Sequence, residues 1–179
     1  MIWHVALLRG INVGPSKRIA MNDLQALVER LGYEDVRTIL NTGNIVFRGK
    51  KAAEATTAER IREAIERRHG FVTHTIVMPG TELDAIIREA PLVSVADNPS
   101  RHLVAFTMDK ALLATARKLA SQDWGVERLA VTARAAYVWS PKGVLASQSL
   151  EALSKLAKDT ITTRNWSTVL KIQAAMRDE

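Results

Sequence analysis

The chain has 179 residues and a mass of 19.8 kDa; 47% of its residues are hydrophobic and 25% are charged. These values are typical of one globular domain or of two small lobes that share a core. Because the sequence contains no cysteine, disulfide scaffolds, thiolate zinc sites and thiol nucleophiles are excluded. No apolar run approaches the length of a membrane span, so we expect a cytoplasmic protein with no membrane partner. The formal net charge of +6 permits attraction to polyanions without specifying one.

The N-terminal part of the chain shows the periodicity of strand, helix, strand, strand, helix, strand over residues 1–78. The predicted strands are 4–8, 36–40, 45–47 and 74–78, with an Asn-Thr-Gly-Asn hairpin turn between the second and the third. Asn22 and Thr56 are the predicted N-caps of the two helices, because Gln or Glu follows each of them three residues later. Gly32 and Gly70 are placed to end these helices in the left-handed conformation. This order of elements is the split βαβ signature of a ferredoxin-like lobe.

The remaining chain repeats part of this order after a helix and a polar, proline-containing linker over residues 79–101. A strand, a helix capped by Asp109 and a hairpin form a predicted βαββ lobe over residues 102–144. Residues 145–179 are predicted to be a C-terminal helical tail packed on the lobes. The sequence therefore predicts an α+β fold with two ferredoxin-like lobes, βαββαβ and then a partial βαββα repeat.

The predicted topology brings two polar segments to one edge of the first sheet. In a split βαβ unit the first two strands run parallel, and the third lies antiparallel between them. The end of the first strand therefore lies at the same edge as the turn after the second strand. The residues expected to meet there are Arg9, Gly10 and Asn12 of the loop, and Asn41, Thr42 and Asn44 of the turn.

The loop after the first strand, residues 9–18 (the 9–18 loop), has the composition of an anion site. Gly10 and Gly14 allow backbone N–H groups to approach a ligand, and the loop leads into a helix. Positive charge comes from Arg9, Lys17 and Arg18. The spacing is not that of a P-loop, because only three residues separate the two glycines. The alternative is a purely structural connection whose glycines serve the turn.

A second concentration of polar residues precedes the last predicted helix. Thr163 or Asn165 can cap this helix, and Arg164 beside its free N–H groups could hold a phosphate or a carboxylate. Trp166 could stack on a base or anchor the helix to the core. The candidate ligand-binding residues of this segment are Arg164, Asn165 and Trp166, with capping and packing as the alternative roles.

The sequence predicts no metal site and no cofactor, and no residue stands out as catalytic. The four histidines lack metal-ligand spacing, and no Ser-His-Asp order with a nucleophile elbow is present. Asp35, Glu54 and Glu127 are typical of solvated loop or strand-end residues rather than of a general base. In the second helix, arginines alternate with glutamates, which indicates a solvated face with internal ion pairs. These arginines are Arg60, Arg62, Arg67 and Arg68.

Motifs near both ends of the chain carry a family resemblance. They are A-L-L-R-G-I-N-V-G over residues 6–14, Met21, Leu24, Arg37-Thr38, residues 42–47, and Thr163-Arg164-Asn165-Trp166 with Thr168, Val169 and Lys171. Together they resemble the family known as domain of unknown function 1697. The resemblance implies an α+β fold with two ferredoxin-like lobes and implies no activity. Members usually carry a Ser-Lys-Leu type segment after the last hairpin, where this chain has Ala146-Ser147-Gln148-Ser149-Leu150 and no basic residue.

Three functional hypotheses follow from the sequence, and we favour the first. It is a protein that binds a phosphate-bearing anionic ligand, such as nucleic acid or a nucleotide, at the 9–18 loop. The aromatic content of 5% disfavours base stacking of the RNA-recognition type and favours contact with backbone phosphates. The second hypothesis is an enzyme acting on a small phosphorylated or carboxylated metabolite at the same site, although no general base is evident. The third is an interaction module without a small ligand.

Overall fold

The computed structural model describes residues 1–177 and shows an α+β protein with two four-stranded antiparallel sheets. Two compact units contain one sheet each: Met1–Asp84 together with the chain from Lys171, and Ala85–Leu170. The expectation of an α+β fold is therefore confirmed. No helix among residues 1–177 combines the length and the apolar character that crossing a bilayer requires.

The first unit is built on a sheet with the strand order β2-β3-β1-β4, in which all neighbouring strands are antiparallel. Its elements are β1 (Ile2–Leu8), α1 (Met21–Arg30), β2 (Glu34–Ile39), β3 (Asn44–Gly49), α2 (Glu54–His69), β4 (Thr75–Pro79) and the first part of α3 (Gly80–Arg88). Because β3 lies antiparallel between β1 and β2, these two strands point in the same direction. The end of β1 and the turn after β2 therefore lie at one edge of the sheet.

The core of the first unit lies between one face of this sheet and the helices α1 and α2. Side chains along a strand alternate between the two faces, so Ala6 and Leu8 of β1 point to the face that the helices cover. Other members of this core are Leu24 and Val28 of α1, Ile45 and Phe47 of β3, and Ile61 and Ile65 of α2. Ile11 and Ile19 also belong to it, so the chain is anchored in the core on both sides of residues 12–18.

The second unit has the strand order β6-β7-β5-β8, again antiparallel between all neighbours. Its elements are the last part of α3, β5 (His102–Phe106), α4 (Lys110–Ala120), β6 (Arg128–Val131), β7 (Ala136–Trp139), a 3-10 turn (Val144–Ala146), α5 (Gln148–Ala157), β8 (Thr162–Asn165) and the start of α6 (Trp166–Ala175). Its core lies between the sheet and the helices α4 and α5, and includes Leu103, Ala105, Leu113, Ala116 and Leu153.

The region expected to be a helical tail, residues 145–179, differs from that prediction because it also contains strand β8. This strand pairs with β5 from Thr162, opposite Phe106, to Asn165, opposite Leu103. Its sequence is Thr-Thr-Arg-Asn, which has no apolar alternation, so hydrophobic periodicity could not reveal it. With β8 in place, the second sheet has four strands rather than the three that were predicted.

Helix α1 is present, but its predicted N-cap is wrong. The helix begins at Met21, and the carbonyl of Ala20 accepts from the N–H of Leu24 at 3.0 Å. Asn22 is therefore already inside the first turn and cannot cap it. The predicted end is confirmed, since Gly32 has a left-handed φ of 89°.

Helix α2 also begins earlier than predicted, at Glu54, two residues before the expected cap Thr56. Alanine and glutamate favour the helix, and an acidic side chain in the first turn suits its N-terminus, so the helix extends upstream. Gly70 ends it with a left-handed φ of 76°, as expected. In the second unit the predicted cap of α4 is confirmed, because the side chain of Asp109 accepts from the N–H of Leu112 at 3.1 Å.

Candidate functional site

Asn12 organises the 9–18 loop. Its side-chain Nδ2 donates to the carbonyls of Ile19 and Asn41, each at 2.8 Å, and its Oδ1 accepts from the N–H of Ile19 at 3.0 Å. Its backbone N–H donates to the carbonyl of Lys17 at 3.0 Å. Asn12 has a left-handed φ of 56°, a conformation that asparagine tolerates better than most residues. Both amide hydrogens of this predicted ligand residue are thus used to close the loop and to tie it to the hairpin turn.

The tip of the loop, residues 13–18, lies outside this closed base. Val13, Pro15 and Ser16 are exposed there. Within the described chain, the backbone N–H groups of residues 13, 14 and 16–18 have no hydrogen-bond acceptor. A Cβ added at Gly14 would meet no atom within 4 Å, so the surrounding space is open. A ligand can therefore approach this stretch of backbone closely.

Lys17 and Arg18 place two cationic side chains at the same tip. Both residues are exposed, and neither pairs with a carboxylate among residues 1–177. Lys17 has a left-handed φ of 53°, as Asn12 does at the base. Changes between right-handed and left-handed backbone conformations turn successive N–H groups toward one side and create concave anion sites. The loop tip thus joins main-chain donors to positive charge.

The hairpin turn that meets the loop is built around Gly43 and Asn44. Gly43 has a φ of 82°, and a Cβ there would lie only 2.8 Å from the Cβ of Leu8. The N–H of Leu8 donates to the carbonyl of Gly43 at 2.8 Å. Asn44 is fully buried, and its Nδ2 donates to the carbonyl of Ile39 at 2.8 Å and to Oγ1 of Thr42 at 3.2 Å. These contacts hold the turn tightly against the end of β1.

Arg9 begins the loop, and its main chain is fixed by the segment that leads into β4. Its N–H donates to the carbonyl of His74 at 2.9 Å, and its carbonyl accepts from the hydroxyl of Thr73 at 2.7 Å. The structure brings the predicted loop and turn residues to one edge of the sheet, in agreement with the expected topology. These residues are Arg9, Gly10, Asn12, Gly14, Lys17, Asn41, Thr42 and Asn44.

The remaining predicted ligand residues, Arg164, Asn165 and Trp166, belong to the second unit. The capping role of Asn165 is confirmed, because its Oδ1 accepts from the N–H of Thr168 at 2.9 Å at the start of α6. The ring of Trp166 stacks on that of His102, with centroids 4.8 Å apart. Both side chains therefore have structural partners, as the alternative interpretation expected.

Arg164 lies on β8 opposite Val104 of β5. Its Nη1 donates to Oγ1 of Thr162 at 2.9 Å and to the carbonyl of Thr163 at 2.8 Å. Burial lowers the pKa of Arg164 to about 10, which still leaves the guanidinium charged at neutral pH. Both of these acceptors belong to the strand that carries Arg164.

Glu127 has a structural role that its sequence position does not reveal. Its carboxylate accepts from the hydroxyls of Ser147, at 2.8 Å, and Ser149, and from the N–H groups of Gln148, at 3.0 Å, and Ser149, at 3.1 Å. Burial favours a higher pKa for Glu127, but the hydrogen bonds from Ser149, Ser147 and Gln148 outweigh it and lower the pKa. The expectation of a solvated strand-end residue is wrong, since Glu127 supplies the anion at the start of α5. The available signal was the Ser-Gln-Ser start of that helix, which is rich in donors.

The arginines of α2 do not form one uniform solvated face. Arg62 pairs with Glu59 at 2.6 Å and with Glu66 at 2.7 Å, which confirms the predicted internal ion pairs at this position. Arg67 and Arg68 make no ion pair with any residue that the structure describes. The helix therefore carries paired and unpaired guanidinium groups.

Side chains that could ligate a metal are dispersed over the described part of the chain. Among residues 1–177, no three histidine or carboxylate side chains come close enough to share an ion. The 9–18 loop offers hydrogen-bond donors and positive charge instead, which is the chemistry that an anion requires.

The 9–18 loop and the hairpin turn lie in the segment that matches a known family. A family model described as "Protein of unknown function (DUF1697)" matches residues 1–137. The chain belongs to this family. The DUF1697 match runs from β1 into β7 and thus includes the whole candidate site of the first unit. The resemblance inferred from the motifs is confirmed.

Among solved structures, the conserved bacterial protein SP0830 from Streptococcus pneumoniae is similar to this DUF1697 chain. The TM-score is 0.74 at 22% sequence identity, and the match covers 98% of each chain. At this identity the likeness supports the α+β fold and transfers no functional residue. Among curated proteins, none matches the chain.

Proposed function

We propose that this DUF1697 protein binds a phosphate-bearing anionic ligand at the tip of the 9–18 loop, with nucleic acid or a nucleotide as the candidate ligand. One observation carries the proposal: at the exposed loop tip, several backbone N–H groups have no acceptor among residues 1–177, and two cations have no carboxylate partner there. Phosphate oxygens accept from both kinds of group, and charge-assisted hydrogen bonds are the stronger ones.

The fixed shape of the loop supports this proposal. Ile11 and Ile19 anchor both sides of the loop in the core, and Asn12 closes its base with side-chain hydrogen bonds. A loop that is ordered before binding loses less conformational entropy when a ligand arrives. The donors at the tip are therefore organised before an anion arrives.

The chemistry of the tip favours contact with phosphates over recognition of bases. Residues 13–18 include no aromatic side chain on which a base could stack. Main-chain donors and flexible cations contact phosphates and sugars and carry little sequence information. We therefore expect binding that depends weakly on nucleotide sequence and falls as the salt concentration rises.

The test is the binding of a labelled single-stranded oligonucleotide, followed by fluorescence anisotropy over a range of salt concentrations. Lys17→Ala with Arg18→Ala should weaken binding, and its dependence on the logarithm of salt concentration should flatten by about one unit for each phosphate that the variant no longer neutralises. Lys50→Ala with Lys51→Ala is the matched control, because it removes an adjacent exposed basic pair elsewhere in the same unit. Equal effects of the two double variants, or binding that is indifferent to salt, would contradict the proposal.

Gly14→Ala adds a test of the main-chain contacts. The structure has room for the new methyl group, so the stability of the protein should be unchanged. If the ligand lies against the backbone at this position, the methyl group prevents close approach and weakens binding. Unchanged oligonucleotide affinity of Gly14→Ala would show that the ligand contacts the side chains of Lys17 and Arg18 and not the main chain at residue 14.

An interaction module without a small ligand is the second candidate function. It is favoured by the fact that the side-chain amides of Asn12 and Asn44 are used within the fold. An enzyme at the same site receives less support, since residues 13–18 include no acidic group and no histidine. Loss of stability without loss of oligonucleotide affinity in Asn12→Ala would favour the interaction module.

We also propose that each unit is ferredoxin-like. The proposal is supported by the order β2-β3-β1-β4 in the first unit and the equivalent order β6-β7-β5-β8 in the second. In each unit one helix follows the first strand and a second helix follows the hairpin, which is the order of a split βαβ unit. Both helices cover the same face of the sheet. An experimental structure with a different strand order would contradict it.

A further inference from the structure

A second cationic surface lies between α1 and α2. An open groove of about 400 Å³, which we name the arginine groove, is lined by Leu27, Arg30, Leu31, Ala64, Arg67 and Arg68. Arg30 is in the last turn of α1, whereas the 9–18 loop precedes the first turn of that helix. Ten helical residues span about 15 Å, so the groove is separate from the loop tip.

The three arginines of the groove are exposed and unpaired. Among residues 1–177, the guanidinium groups of Arg30, Arg67 and Arg68 have no carboxylate partner and no hydrogen-bond acceptor. None of the described residues that line the groove is acidic. Glu63 lies four residues before Arg67, the spacing of a helical ion pair, but the structure does not pair them. Three positive charges therefore line one open volume, and the described lining residues supply no counter-charge.

The neighbouring arginines of α2 show that this pattern is not a general property of the helix. Arg62 is bound by two glutamates of the same helix. Arg60 donates from Nη2 to the carbonyl of Leu31 at 2.9 Å, and its guanidinium lies 5.4 Å from the ring centre of Tyr33. Within the described part of the chain, Arg67 and Arg68 are the arginines of α2 that have no partner, and both line the groove.

We infer that the arginine groove binds a phosphate-chain anion, meaning two or more linked phosphate groups. Guanidinium is a planar fork of donors that matches phosphate oxygens in pairs. Three like charges around one volume repel each other, and an anion with several charges removes that repulsion. The apolar lining from Leu27, Leu31 and Ala64 has no side-chain donor or acceptor for a base edge, so charge decides what binds.

The probes are inorganic tripolyphosphate and orthophosphate, measured by isothermal titration calorimetry on the full chain at low salt. Tripolyphosphate should bind at least about tenfold more tightly than orthophosphate, because it contacts more than one guanidinium. Arg67→Ala with Arg68→Ala should lower the tripolyphosphate affinity by at least about tenfold. Equal affinities for the two anions, or an unchanged affinity in this variant, would overturn the inference.

The matched control is Arg117→Ala with Lys118→Ala, which removes an adjacent basic pair from the last turn of α4 in the second unit. This control should leave the tripolyphosphate affinity unchanged. If it loses as much affinity as the groove variant, the effect follows from net charge alone and the inference is overturned. Thermal unfolding of each variant, recorded without ligand, ensures that affinities are compared between folded proteins.

Failure of the inference about the arginine groove can be distinguished from failure of the function proposed for the 9–18 loop. Lys17→Ala with Arg18→Ala should leave tripolyphosphate bound in the groove, so its loss in that variant would overturn the assignment of this anion to the groove. ATP, added as a second probe, identifies the source of the phosphate chain. Affinity equal to that of tripolyphosphate indicates a free phosphate chain, greater affinity indicates a nucleotide, and either result supports the site.

Discussion

The side-chain amide of Asn12 donates to the main-chain carbonyl of Asn41, 2.8 Å away and 29 residues later in the chain. The same amide group also makes two hydrogen bonds with the backbone of Ile19. One side chain therefore connects the loop after β1, the entry to α1 and the hairpin between β2 and β3.

Substitution of Asn12 should destabilise the first unit even though the residue lies in a loop. Asn12→Ala removes three side-chain hydrogen bonds and places alanine in a left-handed conformation, so we expect a loss of about 3–5 kcal/mol in the free energy of unfolding. Urea unfolding measures it. Asn41→Ala is the control, because Asn41 contributes only its main-chain carbonyl; a similar loss in that variant would contradict the explanation.

Gly43 and Gly10 should respond very differently to alanine. Both have a left-handed φ, but a Cβ at Gly43 would lie 2.8 Å from the Cβ of Leu8, while a Cβ at Gly10 meets nothing within 4 Å. We expect Gly10→Ala to cost about 1–2 kcal/mol from backbone strain alone, and Gly43→Ala about 2–5 kcal/mol because steric overlap is added. Equal melting temperatures of the two variants would show that the turn can move away from β1.

His102 should make the stability of the protein sensitive to pH below its ordinary pKa of 6.5. Burial lowers the pKa of His102 in the folded chain, so the unfolded chain binds a proton first as the pH falls. The contribution of the neutral ring is complete above pH 6.5 and is lost as the pH falls through the lower folded value.

His102→Phe provides the measurement, because phenylalanine keeps a ring against Trp166 and cannot be protonated. The difference in free energy of unfolding between the native chain and this variant should change with pH below 6.5 and stay level above it. If the difference in free energy of unfolding stays constant as the pH falls below 6.5, His102 does not cause the pH dependence.

Glu127 should stabilise the start of α5 in its ionised form. Its pKa is lowered in the folded chain, so its contribution is present above the ordinary value of 4.5 and is lost as the pH falls through the folded value. At neutral pH, Glu127→Gln should lower the free energy of unfolding by about 1–3 kcal/mol, since charge-assisted bonds to four donors are weakened.

The comparison variant is Glu63→Gln, which changes an exposed glutamate for which the described chain shows no partner. Its unfolding free energy should match that of the native chain within about 0.5 kcal/mol. The gap between Glu127→Gln and the native chain should also narrow as the pH falls below 4.5. A gap that widens in acid would mean that the carboxylate is not the stabilising form.

Hydrophobic periodicity was sufficient for the elements that bury a regular face. Leu24, Leu27 and Val28 of α1 are buried as their spacing predicts. The apolar run of β1 and the split βαβ order of elements correctly predicted that the loop and the turn meet at one edge of the sheet. Strand β8 was missed because its stability comes from pairing with β5 rather than from its own side chains. Helix starts were misplaced where the N-terminal positions are alanines, which carry no capping side chain.

The composition of the candidate site was predictable, but the roles of its residues were not. Glycines and cations identified the 9–18 loop. The hydrogen bonds of the Asn12 side chain with Ile19 and Asn41 depend on tertiary contacts that local sequence does not encode. The groove that Arg67 and Arg68 line also depends on the packing of α2 beside α1. Spacing alone favoured an ion pair between Glu63 and Arg67 that the structure does not contain.

The fixed ends of the loop also affect how the protein tolerates inserted sequence. Residues 13–16 lie between Asn12 and Lys17, whose main chains share a hydrogen bond, and Ile11 and Ile19 anchor both sides of the loop in the core. Because the entropy of closing a loop grows only with the logarithm of its length, a longer peptide grafted into this segment should cost little stability. The anchored loop could therefore display foreign peptides, whereas a deletion that removes Asn12 would also remove the hydrogen bond to Asn41 in the turn after β2.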